Sequence, residues 1–225
     1  MFSRNMSLVI IVCIKSVLMI MISAQLLMSL ENHHVRVVRV YSKMQENVDF
    51  PIPRDLLIPS KQKQTTDESL QNISLHFLIR QPSKLHSTQI LAFDRLFAMN
   101  QETPENVTDD KVKEYHKLIQ TASVEELKEC DIILCTCTGS SSKRIVRGTN
   151  IAQIIIDECA MCMEPEALVP LVTFSSAEKV VLIGDHKQLQ PIVINTDAKI
   201  LGLEMSLFER YADKALMLDI QYRMV

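Results

Sequence analysis

The apolar positions of this 225-residue chain fall into short blocks of two kinds. Leu8 to Leu30 is nearly all apolar, broken by Lys15. Such a run suits either a membrane span or a doubly buried strand followed by a helix. In the second reading, Leu8 to Cys13 is the strand and Ser16 to Leu30 the helix. Val35 to Tyr41 (VRVVRVY) alternates β-branched residues with Arg and predicts a strand near a sheet edge. Residues 49–69, rich in Pro and polar side chains, read as loop. Leu70 to Met99 and Val112 to Ile119 carry helical spacing. Ser123-Val-Glu-Glu126 matches a capping box and predicts a second short helix beginning there. Ile132 to Thr136, Ile151 to Ile156 and Val180 to Ile183 are apolar runs of strand length. Glu164-Pro165 opens a helix, Ser206 to Tyr211 forms another, and Ala215 to Leu218 reads as a final strand.

Strands separated by helices predict an α/β fold with a parallel sheet flanked by helices. The chain divides into an N-terminal strand-helix-strand over 1–50, a loop and mainly helical insertion over 51–128, and an α/β core over 129–225. Four Gly and no Trp agree with a helix-rich α/β domain. A net charge of -3 excludes nucleic-acid binding by bulk charge, so such binding must be local. Six Cys without a dense framework suit a reducing compartment. Cys135-x-Cys137 and Cys159-x-x-Cys162 supply four thiolates for zinc if their strands are neighbours, or four small buried hydrophobes.

The chemistry concentrates in three motifs: IIIDEC at 154–159, GDHKQLQP at 184–191 and QYRM at 221–224. Asp157 and Glu158 at the end of a buried strand lie where open α/β sheets bind ligands. Two adjacent carboxylates there are suited to hold Mg²⁺ and order a water. Gly184 permits a tight turn after the next strand. Asp185 accepts a hydrogen bond from a neighbouring loop, and Gln188 has both donor and acceptor to read a phosphate. Arg223 offers a planar fork of donors suited to phosphate.

In order and spacing these motifs resemble those of superfamily-1 helicases, most closely the Upf1-like group that includes the helicases with zinc-finger domains. The resemblance is weak over residues 8–50 and strong over 128–224. It implies a partial RecA-like P-loop NTPase domain using ATP and Mg²⁺. It implies that Asp157 reaches the metal through water, Glu158 polarises the attacking water, and Gly184, Asp185, Gln188 and Arg223 complete the nucleotide site. Thr136, Thr138, Gly139 and Ser140 match the segment that touches the nucleic-acid backbone, with Lys143, Arg144 and Pro191 beside it. The implied partner is single-stranded RNA or DNA, with protein partners possible, in the cytoplasm or nucleus. An anchor through 8–30 is the membrane alternative.

The chain contains no G-x-x-x-x-G-K-[ST] loop. In the family that loop and its Lys precede the segment matched by residues 8–50, and a second lobe follows QYRM. The expectation is therefore a piece of a helicase motor, inactive by itself. A non-catalytic module that keeps the RecA-like fold and binds nucleic acid or protein is the alternative.

Overall fold

The computed structural model describes residues 9–14, 35–53, 64–218 and 220. Its centre is a parallel sheet of five strands. In chain order these are β1 (Val9–Ile14), β2 (Val37–Arg39), β3 (Ile132–Cys135), β4 (Ile151–Asp157) and β5 (Lys179–Leu182). Their spatial order is β2-β3-β1-β4-β5. The register places Cys13 beside both Cys135 and Ile156, and Ile14 beside Asp157. Ile156 in turn faces Leu182. All the carboxyl ends therefore emerge on one side, as the expected fold requires.

Burial follows position in the sheet. All four residues of β3 are buried, the signature of a strand covered on both faces. β2 is the expected edge strand, but its edge is not bare. The Arg39 amide donates to the Ile73 carbonyl at 2.8 Å, and Arg39 and Ser74 form an isolated parallel bridge. This short piece of chain blunts the edge against further pairing. Arg39 itself lies in the interior with its guanidinium 3.9 Å from the Tyr41 ring centroid, so the alternating Arg of this strand does not mark a wet face.

Among the described residues, five α-helices lie between β2 and β3: α1 (Lys43–Asp49), α2 (Glu68–Gln71), α3 (Leu75–Leu78), α4 (Ser87–Met99) and α5 (Asp109–Leu127). The predicted loop at 49–69 hid none of these except the start of α2, but α1 went unread. Ser42 caps it by accepting from the Gln45 amide at 3.3 Å.

α5 corrects the sequence reading. It runs unbroken for 19 residues, where two helices with a capping box at Ser123 were expected. No Gly or Pro interrupts Ile119 to Leu127, and Tyr115, Ala122 and Leu127 continue one buried stripe. Ser123 is buried in the middle of that stripe. Glu126 does not turn back to it: its carboxylate pairs with Arg36 and, at 2.7 Å, with Lys84.

After β3 come α6 (Lys143–Gly148), then α7 (Glu164–Thr173), α8 (Thr196–Ile200) and α9 (Leu207–Arg210). The last two are capped by Asn195 and Ser206 side chains. Residues 215–218 form no strand. Leu216 and Leu218 are more than four-fifths exposed, and an apolar run with no sheet edge to join has no partners for its backbone.

The run at 8–30 resolves in part. Residues 9–14 are a strand held between β3 and β4, so 8–30 is not one continuous helix. Residues 15–30, including Lys15 and the expected helix, lie outside the described residues. Among the described residues no helix is long and apolar enough to cross a membrane.

Candidate functional site: a carboxylate turn on the sheet edge

β4 carries Asp157 to the carboxyl side of the sheet, and the chain then turns sharply. Glu158 adopts φ 53° and ψ 36°, the one left-handed non-Gly backbone among the described residues. Its amide donates to Asp157 Oδ1 at 3.0 Å, so one carboxylate oxygen braces the turn. Both residues are half-buried. A Cβ-bearing residue in this conformation is strained by roughly 1–2 kcal/mol, and such strain collects at functional sites. Glu158→Gly is accordingly expected to raise unfolding stability by up to about 1 kcal/mol while removing the carboxylate. Urea denaturation checks this; a destabilised variant would mean that the Glu158 side chain supports the fold.

The next turn locks this one to β5. The Cys159 amide donates to the Ile183 carbonyl at 2.8 Å, and the Ile183 amide donates to the Ile156 carbonyl at 2.9 Å. Gly184 follows directly. A Cβ there would stand 2.8 Å from the Ala160 nitrogen. The glycine is therefore required for close approach of two backbones, and not, as its sequence context suggested, for a turn with unusual φ. Asp185 accepts from the Lys187 amide and from Gln188 Nε2, both at 2.9 Å. These donors, the backbone amide first, hold the Asp185 carboxyl below its ordinary pKa. The expected bond from another loop is thus replaced by bonds within its own. Gln188 is exposed and is positioned by Asp185. Pro191 is buried.

The predicted nucleic-acid segment leaves β3 as a tight turn. Thr136 Oγ1 accepts from the Gly139 amide at 3.1 Å and lies 3.4 Å from Thr138 Oγ1. Thr136, Thr138 and Lys143 are exposed. Two of the expected contacts are placed otherwise. Ser140 is fully buried, and its hydroxyl donates to the Cys137 carbonyl at 2.6 Å. Arg144 is held by both oxygens of Glu46, at 2.6 and 3.0 Å, and by the Tyr41 carbonyl at 2.8 Å. Its fork is spent on joining α6 to α1. Nothing local in the sequence pairs residues 98 positions apart. Gln221, Tyr222 and Arg223 lie outside the described residues.

The four thiols do not converge. Cys137 and Cys162 Sγ atoms are 3.9 Å apart, but among the described residues no three Cys, His, Asp or Glu gather as a metal site. Burial pushes the Cys159 thiol up to about 12. These cysteines pack as small hydrophobes. The oxygen-only pair Asp157–Glu158 is of the type that suits a hard cation such as Mg²⁺, which keeps several waters and takes one or two carboxylates.

A parallel sheet whose carboxyl edge presents a carboxylate turn beside a Gly-Asp-x-x-Gln loop is the architecture of a RecA-like P-loop NTPase domain. The chain matches the AAA domain family model over residues 16–196. It belongs to that family, and within it to the Upf1-like superfamily-1 helicases. It is 42% identical over 199 residues to the 3'-5' exoribonuclease HELZ2 of Homo sapiens, covering 87% of this chain and 7% of that protein. It is 32% identical over 170 residues to the ATP-dependent helicase NAM7 of Saccharomyces cerevisiae, covering 74% of this chain and 16% of that protein. To the DNA-binding protein SMUBP-2 of Rattus norvegicus it is 30% identical over 176 residues, covering 69% and 18%. The chain thus spans less than a fifth of the length of each of these relatives. Membership implies ATP and Mg²⁺ as the family's cofactors.

Proposed function

We propose that this chain supplies the water-activating and phosphate-sensing half of a motor that uses ATP to move along single-stranded nucleic acid. The bond from the Cys159 amide to the Ile183 carbonyl carries the reading, because it sets the Asp157–Glu158 turn against the Gly184–Gln188 loop. When bound, Mg²⁺ neutralises charge on the phosphates of ATP. Asp157 would hold that cation through water. Glu158, at the left-handed turn beside it, would orient and polarise the attacking water. Gln188, steadied by Asp185, senses the γ-phosphate, and Arg223 neutralises charge as the phosphoryl group transfers. Motors of this class gain their rate from positioning and fixed charge, so braced turns suit the role better than mobile ones.

Thr136, Thr138, Gly139 and Lys143 form the strand-binding edge in this reading. Hydroxyls and amides there contact phosphates without reading sequence. A chain with free thiols at all five described cysteines fits a cytoplasmic or nuclear location. The test is binding of a labelled single-stranded RNA by fluorescence anisotropy at several salt concentrations. Lys143→Ala is expected to weaken binding uniformly across sequences and to lower the salt slope by about 0.7, the value for one phosphate contact on a single strand. An unchanged slope would remove Lys143 from the interface. No measurable binding by the wild type would sink the strand-binding edge as a whole.

A further inference from the structure

A cavity of about 520 Å³ opens beside the carboxyl ends of β2 and β3. Its floor comes from Tyr41 after β2 and Ser142 and Lys143 after β3; its walls come from α1, α3 and α5. The charges in those walls are already matched. Glu46 is held by Arg144. Arg80 is bound by Asp94 at 2.8 Å and by Tyr115 at 2.7 Å. Its guanidinium also lies 3.5 Å from the Phe50 ring centroid.

What is not matched is a set of neutral polar atoms. Ser123 Oγ, Ser142 Oγ and His76 Nδ1 are buried without a hydrogen-bond partner, and all three residues line this cavity. Ser123 is fully buried and His76 is 2% exposed. Buried polar groups are normally satisfied, so a cluster of orphans around one cavity points to a missing partner. The type of partner can be read from His76. Its Nε2 lies 2.9 Å from Asp49 Oδ2. Burial lowers its pKa, despite the nearby carboxylates that raise it. A neutral ring that donates from Nε2 to Asp49 leaves Nδ1 as an acceptor. The cavity therefore asks for a donor opposite His76 and offers two hydroxyls that donate or accept. Its aromatic surfaces, Tyr41, Phe50 and Tyr115, suit a flat ring. Lys43 and Lys143 are exposed at the rim.

We propose that this cavity is a nucleobase pocket: a base with an N–H donor enters between the aromatic walls, hydrogen-bonds Ser123, Ser142 and His76, and leaves its phosphate with Lys43 and Lys143. The proposal rests on the strand-binding edge at 136–143 for the source of the base. That source is an extruded base of a single strand, and a free nucleotide carries the same chemistry.

The test measures binding of a labelled polyadenylate RNA and of the same strand with abasic residues, to the full 225-residue chain. The adenylate strand is expected to bind about tenfold or more tightly, the scale of one stacked base. Ser123→Ala should erase that preference and leave abasic-strand affinity unchanged. Its thermal midpoint should not fall, because the hydroxyl it removes makes no bond in the free protein. A midpoint that falls would show that the hydroxyl serves the fold. Equal binding of the two strands by the wild type would overturn the pocket and leave the backbone interface standing. Should neither strand bind, the interface reading fails, and AMP decides the pocket alone. A saturable shift of the His76 imidazole nitrogens on AMP titration, weakened by Ser123→Ala, sustains it as a mononucleotide site. No shift overturns it.

Discussion

ATP hydrolysis by the 225-residue chain should not rise above background, with or without single-stranded RNA. The Asp157–Glu158 turn and the Gly184–Gln188 loop are in place, but the chain contains no G-x-x-x-x-G-K-[ST] sequence. That loop would cradle the β- and γ-phosphates with backbone amides and add a Lys charge. Loss of one donor aimed at the developing charge costs about 10²–10³ in rate. Losing the cradle and a stabilising cation together removes most of the acceleration, whatever remains to order the water. Glu158→Gln should then be indistinguishable from wild type in a phosphate-release assay. RNA-stimulated turnover that Glu158→Gln abolishes would show that this chain holds its phosphates by other means.

The largest stability effect is expected at Arg80. Its Nε and Nη2 bind the two Asp94 oxygens at 2.8 and 3.0 Å, Nη1 donates to the His76 carbonyl, and Nη2 reaches Tyr115 Oη at 2.7 Å. Tyr115 Oη in turn donates to Asp94 at 3.0 Å. Burial dominates at Tyr115 and pushes its phenol up, so it stays a donor at any ordinary pH. The network ties α3 to α4 and α5. Arg80→Ala leaves the half-buried Asp94 carboxylate with Tyr115 alone and is expected to cost about 3 kcal/mol, the low end of the range for breaking a buried pair from one side. Urea unfolding measures it. Arg80→Met with Asp94→Leu removes both charges and should recover much of the loss, since the pair itself contributes little beyond its own desolvation. A single mutant within about 1 kcal/mol of wild type would place the pair among exposed bridges of small effect.

The parallel sheet was legible because its strands read as apolar runs between helices, although burial differs among them: β3 is wholly buried and β5 is largely exposed. The placement of the motif residues was legible because IIIDEC and GDHKQLQP each end such a run, so their polar residues had to emerge at the carboxyl edge. β2 lies at the expected edge, although Arg39 is buried and its alternation marks no wet face. These inferences needed only period, length and sequence neighbours.

Other features depended on contacts between distant residues. Ser123 and Glu126 have the letters of a capping box, yet α5 runs through them, because Glu126 gains Arg36 and Lys84 from elsewhere in the chain. Arg144 looked free for phosphate until α1 brought Glu46 to it. Ser140 looked exposed until its turn folded inward. Ala215 to Leu218 has strand composition but pairs with no strand among the described residues. Gly184 was singled out for the right position and the wrong reason: the Ala160 backbone beside it decides the matter, and that neighbour comes from the turn after β4. The sequence by itself determined where most strands run and at which ends the polar motif residues stand, since both follow from side-chain type and period. Only the tertiary structure decided which polar groups are already paired and which are left over, because a hydrogen bond depends on distance in space and not on separation along the chain.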